Sequence, residues 1–202
     1  MSKLKLNLGC ASNIMEGYVN VDQDDMGEIR KRYPNKEFSK EAKIFTYNIF
    51  KLPYKDGTVD EVIADGFLEH LSFIEEKEFF LEMKRVLKED GILSFAVPNF
   101  EKVVKLWLEA KDEWKDFFRL DDEAISQEHW FGTYTYNSNN RWGYLTAMLY
   151  GSQNGEGQFH QNCYTIPKIK AMLKKLNFKD VEFEEFVWKG NRDPMIRTKA
   201  KK

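Results

Sequence analysis

The sequence predicts an α/β fold: a doubly wound, seven-stranded, mostly parallel sheet whose last strand runs antiparallel. Three observations carry this expectation. Short β-like runs recur through the first half of the chain. A strongly marked helix lies between two of them. The last two runs are joined by a connection too short for a helix. Strand, helix and strand within about 40 residues form a βαβ unit, which implies parallel pairing and a right-handed crossover.

Leu4, Leu6 and Leu8 alternate with Lys5 and Asn7 and stop at Gly9, a first strand. Tyr18–Asp22 is the second and Ile44–Tyr47 the third. Val59–Ala64, after a Lys55-Asp56-Gly57 turn, is the fourth, and Ile92–Val97, closed by Pro98, is the fifth. Before the fifth strand, Ser72 and Glu75 read as a capping box. Phe79, Phe80, Met83, Val86 and Leu87 then share one helical face. Asp90-Gly91 is expected to end that helix, with Gly91 in the left-handed conformation.

Glu101–Leu120 reads as a further helix, packed through Val103, Val104, Trp107 and Leu108. From His129 to Tyr164 the chain is aromatic and polar, with Trp130, Phe131, Tyr134, Tyr136, Trp142, Tyr144, Tyr150, Phe159 and Tyr164. The segment 101–164 is therefore expected to be a helical and aromatic insertion after the fifth strand, covering one end of the sheet. So little sequence precedes the first strand that this cover is expected to form the substrate side. Thr165 caps a helix carrying Ile169, Met172, Leu173 and Leu176, with Lys168, Lys170, Lys174 and Lys175 on its solvated face. Val181 and Phe183, then Ile196, Thr198 and Ala200, alternate with charged residues. The Gly-Asn-Arg-Asp-Pro link between them makes them an antiparallel edge hairpin.

With 202 residues and 23.9 kDa, residues 1–202 read as one domain, long enough to bury a core without staples. Charged residues make up 32%, but Lys+Arg at 31 against Asp+Glu at 33 leaves a net charge of −2, which argues against a nucleic-acid partner. No apolar run approaches the roughly 20 residues of a membrane span, and the start lacks an apolar signal core, so no membrane association is expected. Cys10 and Cys163 form neither a disulfide framework nor a metal-ligand spacing, which fits a reduced cytoplasmic protein.

In an open parallel sheet, ligands sit at the carboxyl ends of the strands. The residues there are Gly9-Cys10-Ala11-Ser12, Asp22, Asn48-Ile49, Asp65-Gly66-Phe67-Leu68 and Pro98-Asn99. A dinucleotide fingerprint needs three glycines in the first turn and a full helix behind them. This turn has one glycine, and only residues 10–17 separate the first two strands, so pyrophosphate binding is disfavoured. An adenosine cofactor without phosphates needs less: Gly9 for close backbone approach, the Asp22 carboxylate for ribose hydroxyls and Asn48 for the adenine edge.

The stretches LKLNLGCASNIMEGYVNVD, FKLPYKDGTVDEVIADGFLEHL and FFLEMKRVLKEDGILSFAVPN resemble the successive motifs of class I S-adenosylmethionine-dependent methyltransferases. LYGSQNGEGQFHQNCYTIPKIKAMLKKLNFKDVEF is similar to the small bacterial-type, methyltransferase type 11-like group of that superfamily. The matches leave out about residues 23–43 and 101–144. The resemblance implies a Rossmann-like sheet, S-adenosylmethionine as methyl donor, and an O or N nucleophile of a small molecule or glycan precursor as acceptor. It places the cofactor at Asn7, Leu8, Gly9, Cys10, Ala11, Asp22, Asn48, Ile49, Asp65, Gly66, Phe67 and Leu68. Two positions depart from the pattern: Ala11 replaces a second loop glycine, and Asn48 an adenine-contacting Asp.

His160, in QFHQ, is the favoured general base and His70 the second candidate, because an imidazole titrates near neutrality. No metal is expected. The Glu-x-x-Glu-His pattern that holds one in some quinone-pathway methyltransferases lacks its first Glu here, replaced by Gly66. Two rival readings are a catalytically silent S-adenosylmethionine-binding domain, suggested by Ala11 and Asn48, and an NAD-dependent oxidoreductase, which the glycine-poor loop opposes.

Overall fold

The structure is a computed structural model that describes residues 3–110, 144–151, 153, 157–188 and 193–202. In it, β1 (Lys5–Leu8), β2 (Val19–Val21), β3 (Val59–Asp65) and β4 (Leu87–Pro98) pair in parallel. β6 (Pro194–Lys201) runs antiparallel to β4 on one side and to β5 (Lys179–Val187) on the other. The order across the sheet is β2-β1-β3-β4-β6-β5. The mixed sheet and the terminal hairpin are as the sequence predicts.

The strand count is not. Among the described residues six strands form, because the expected strand at 44–47 shrinks to one parallel bridge between Val21 and Phe45. β2 is only three residues long, so it offers its outer neighbour little ladder. The Phe45 N–H donates to the Asn20 carbonyl at 2.8 Å, and the Asp22 N–H to the Phe45 carbonyl at 3.2 Å. Asn48 then turns the chain at once, its side chain accepting the Phe50 N–H at 2.9 Å.

The helix α1 (Met26–Arg32) follows β2, capped by Asp25. The helix α2 (Phe73–Val86) carries the expected reciprocal capping box between Ser72 and Glu75. It stops earlier than the sequence suggests. Leu87 is already extended and pairs with Val59, and a bulge then absorbs 88–91 before Ile92 meets Glu61. Asp90, not Gly91, takes the left-handed backbone, with φ +61°. Gly91 is needed there for space, since a Cβ would stand 2.9 Å from the Lys88 carbonyl oxygen.

The core lies between sheet and helices. Leu6, Leu8, Val62, Leu93 and Phe95 from the strands meet Phe79, Phe80, Met83 and Val86 of α2. Ile169 and Leu173 of α5 (Ile166–Lys175) join them, capped as expected by Thr165. Lys168 departs from the expected solvated face: its ammonium sits 2.8 Å from Glu76 and donates to the Asn162 side chain at 2.6 Å. The helix α3 (Phe100–Glu109), capped by Asn99, and α4 (Tyr144–Tyr150) lie in the segment expected as the cover and contact each other. His129, Trp130, Phe131, Tyr134, Tyr136, Trp142 and the expected helix beyond Ala110 lie outside the described residues. Among the described residues no helix is long and apolar enough to cross a membrane.

One polar cluster ties α2 to the loop before β3. Glu82, 7% exposed, accepts the Leu52 N–H at 2.6 Å and a forked pair of bonds from Arg85 at 2.6 and 2.8 Å. Arg85 also donates to the Tyr54 and Leu52 carbonyls. Arg85→Ala leaves Glu82 buried without its counter-charge, a loss of about 3 kcal/mol or more for a fully buried pair. Because Arg85 is a third exposed, the expected destabilisation in urea unfolding is about 2 kcal/mol. A change as small as a surface substitution, under about 0.5 kcal/mol, would mean that Leu52 alone satisfies Glu82.

Candidate active site

The register places three sequence-predicted residues in one row. Leu8 pairs with Val21 and Asn7 with Ile63, so Gly9, Asp22 and Asp65 stand level at the carboxyl ends of β1, β2 and β3. No helix joins β1 to β2. The loop between them is held from below by two buried side chains, Asn7 and Asn20. The Asn7 amide donates to the Asn20 side-chain oxygen at 2.8 Å and to the Asn13 carbonyl at 2.7 Å. Asn20 accepts the Met15 N–H at 2.9 Å and returns a bond to the Met15 carbonyl at 3.1 Å.

Above that staple the backbone folds tightly. Gly9 has φ +62°, and a Cβ there would collide with the Phe67 ring. Ala11 also lies in the left-handed region, at φ +41°, a conformation costing a residue with a Cβ about 1 kcal/mol. Asp22 stabilises it: one carboxylate oxygen accepts the Ala11 N–H at 2.7 Å, the other the Asp24 N–H at 3.2 Å. These bonds leave lone pairs on both oxygens. Cys10 is 3% exposed, and burial, reinforced by the Asp22 charge, pushes its thiol up to about 12. It is a packed, unreactive side chain.

Other predicted residues have structural duties. The Leu8 and Leu68 side chains are fully buried in the core, and Ile49 and Phe67 pack against it. They and Asn7 can therefore present mainly backbone to a ligand. Asn48 is exposed, its oxygen engaged in its own turn. A cleft of about 620 Å³ lies on the outer flank of the loop, between 12–18 and 36–43, and the row does not line it.

Asp65 closes β3. One carboxylate oxygen takes the Arg197 guanidinium at 3.3 Å, while the other is buried without a partner among the described residues. Burial raises its carboxyl above the usual range, against the pull of Arg197. Arg197 was not singled out by the sequence. Pairing of Asp65 with Ala96 and of Ala96 with Arg197 sets it beside Asp65, and that register is invisible in composition or periodicity.

Beyond Gly66, a short 3₁₀ turn (Leu68–His70) brings a second group together. Glu69 is 4% exposed, and burial raises its carboxyl to about 8. Its backbone carbonyl accepts the N–H groups of Gln161 and Asn162 at 2.8 and 3.1 Å, which docks the end of the cover onto the turn. The His70 and His160 rings meet edge to face, 4.9 Å between centroids. Burial lowers both imidazoles, His160 to about 4 with the His70 charge adding to it. The two candidate bases are thus neighbours, with Glu69 beside them. Tyr164, expected in the cover, is wholly buried, its hydroxyl donating to the Leu68 carbonyl at 3.3 Å.

Residues 8–95, which hold the whole row, match the model of a family described as methyltransferase domain. This segment is similar to S-adenosylmethionine-dependent methyltransferases. A Mycobacterium tuberculosis protein named as a probable S-adenosylmethionine-dependent methyltransferase is 32% identical over 81 residues, 40% of this chain and 27% of that protein. An uncharacterized Methanocaldococcus jannaschii protein is 31% identical over 106 residues, 50% of this chain and 44% of that one. The chain thus spans less than half the length of these curated relatives. A solved methyltransferase from Archaeoglobus fulgidus shares the fold with a TM-score of 0.59 at 13% identity, covering 99% of this chain and 86% of that one. Burkholderia thailandensis 1,6-didemethyltoxoflavin-N1-methyltransferase, solved with S-adenosylhomocysteine, gives 0.55 at 10% identity, covering 98% and 70%.

The chain's two free cysteines differ sharply in surroundings, Cys10 buried and Cys163 exposed. In the folded protein iodoacetamide is expected to alkylate Cys163 alone at pH 8, with Cys10 labelled only after denaturation. Mass spectrometry of the labelled peptides checks this, and labelling of native Cys10 would show that the loop opens.

Proposed function

We propose that the chain binds S-adenosylmethionine along the row Gly9, Asp22 and Asp65, with Asn48 toward the adenine, and transfers its methyl group to an oxygen or nitrogen nucleophile of a small molecule or glycan precursor. The observation that carries the reading is the orphaned, buried Asp65 oxygen standing level with Gly9 and with Asp22. A buried carboxylate oxygen without a donor is costly, and an ammonium or sulfonium ligand supplies the missing charge.

The bound cofactor would supply an activated methyl group on positive sulfur. The chain's own residues do the rest. Asp22 braces Ala11 with one lone pair on Oδ2 and has others for a ribose diol. Arg197 holds Asp65 in place from β6, across β4. The cover, bonded to Glu69 through Gln161 and Asn162, keeps water from the reacting atoms and fixes the acceptor's approach, which is where most of the rate gain arises. His160 and His70 are the groups positioned to deal with the acceptor's proton.

Asp22→Ala is expected to weaken S-adenosylhomocysteine binding by about 1.5–3 kcal/mol, roughly 10- to 150-fold, in isothermal titration. Normal affinity in a folded variant would reduce Asp22 to a brace for Ala11, and no heat from the wild type at millimolar ligand would remove the reading altogether. His160→Ala is expected to leave that affinity nearly unchanged and to lower turnover about 10²- to 10⁴-fold once an acceptor is found by a panel screen. Full turnover in the variant would leave His160 a packing residue.

A further inference from the structure

We propose that Glu69, His70 and His160 form a binding site for a divalent transition-metal ion of the zinc type. An imidazole nitrogen from each histidine and a carboxylate oxygen from Glu69 all lie within 4.8 Å of one another. Ligands about 2.1 Å from a tetrahedral ion stand about 3.4 Å apart, so small side-chain rotations close the set.

Three independent observations point to a ligand there. Each ring already uses Nδ1. His70 donates it to the Phe159 carbonyl at 3.1 Å and His160 to the Met148 carbonyl at 2.9 Å. A carbonyl can only accept, so both rings are fixed with Nε2 as the lone-pair nitrogen. That is the outer-shell arrangement of metal-bound histidines. Next, Glu69 is 4% exposed and its Oε2 has no hydrogen-bond partner among the described residues. A buried carboxyl oxygen without a donor is open to a cation that displaces its proton. Finally, a cavity of about 10 Å³, room for about one water, is lined by Glu69 and His160, though not by His70.

The donor set selects the metal. Two imidazoles and one carboxylate suit zinc and its neighbours, whereas magnesium and calcium take oxygen ligands. Three protein ligands leave a coordination position for water or substrate. The sequence pattern hid this site because the Glu expected at Gly66 is missing. The fold supplies His160 instead, brought in by the end of the cover. With an ion present, His160 acts in turnover by holding it, and the ion makes a bound acceptor hydroxyl more acidic. That catalytic role rests on the methyl-transfer reading; ion binding does not.

The test uses the whole chain without a histidine tag, stripped by a chelator. It is titrated with Zn²⁺ by calorimetry and with Co²⁺ by visible absorption. One ion per chain is expected, with Co²⁺ bands of a site lacking thiolate. Glu69→Gln and His160→Ala should each weaken binding at least about 10-fold, and His70→Ala stands in for either variant that does not fold. S-adenosylhomocysteine is titrated in parallel. Wild type that binds this nucleoside but no stoichiometric Zn²⁺ or Co²⁺ overturns the metal site alone. Metal binding without nucleoside binding overturns the methyl-transfer reading alone. Zn²⁺ binding undiminished in the folded variants places the ion elsewhere and also overturns the inference.

Discussion

The site depends on two asparagines below the first loop. A parallel crossover is usually bridged by a helix that packs on the sheet and fixes the loop by burial. Here Gly9–Tyr18 carries no helix, so hydrogen bonds must do the fixing. Asn7 and Asn20 lie on adjacent strands in direct register and bond each other, Asn13 and Met15. Both are buried, and each replaced bond would strand a polar group in the interior, at about 1–3 kcal/mol apiece. With the loop held from below, Asp22 can hold it from above through Ala11, although Ala11 occupies a backbone region that glycine adopts more easily.

Most of the fold was legible in local patterns. Alternation marked the β1, β5 and β6 segments, short runs bounded by turn residues or proline marked β3 and β4, and Ser72 with Glu75 fixed where α2 begins, because a capping box is a local interaction between neighbouring residues. What failed depended on partners. Ile44–Tyr47 has strand composition, but a three-residue neighbour cannot pair with four residues. Asp90-Gly91 looks like a helix stop, yet Leu87 leaves the helix early because Val59 pairs with it. Neither competitor is visible in the segment itself.

The site divides in the same way. Gly9, Asp22 and Asp65 could be found because the end of each strand can be read from sequence, and parallel strands align their ends. Arg197 and the meeting of Glu69 with His160 could not. The first needs the register of an antiparallel strand against β4, and the second needs the path of a long insertion back to the 3₁₀ turn. Aromatic content misled for Tyr164, which packs under the turn and belongs to the core.

The shrunken third strand also bears on how the sheet meets other sheets. An open sheet ends in two rows of unpaired backbone groups, which invite strands from other chains. On one side the outer row is short, since among the described residues only Phe45 bridges to the outer side of a β2 of three residues. On the other, β5 presents exposed Glu182, Glu184 and Glu185, so a second copy adding there would bring like charges together. Brevity guards one margin and charge the other, which disfavours growth by edge-to-edge stacking.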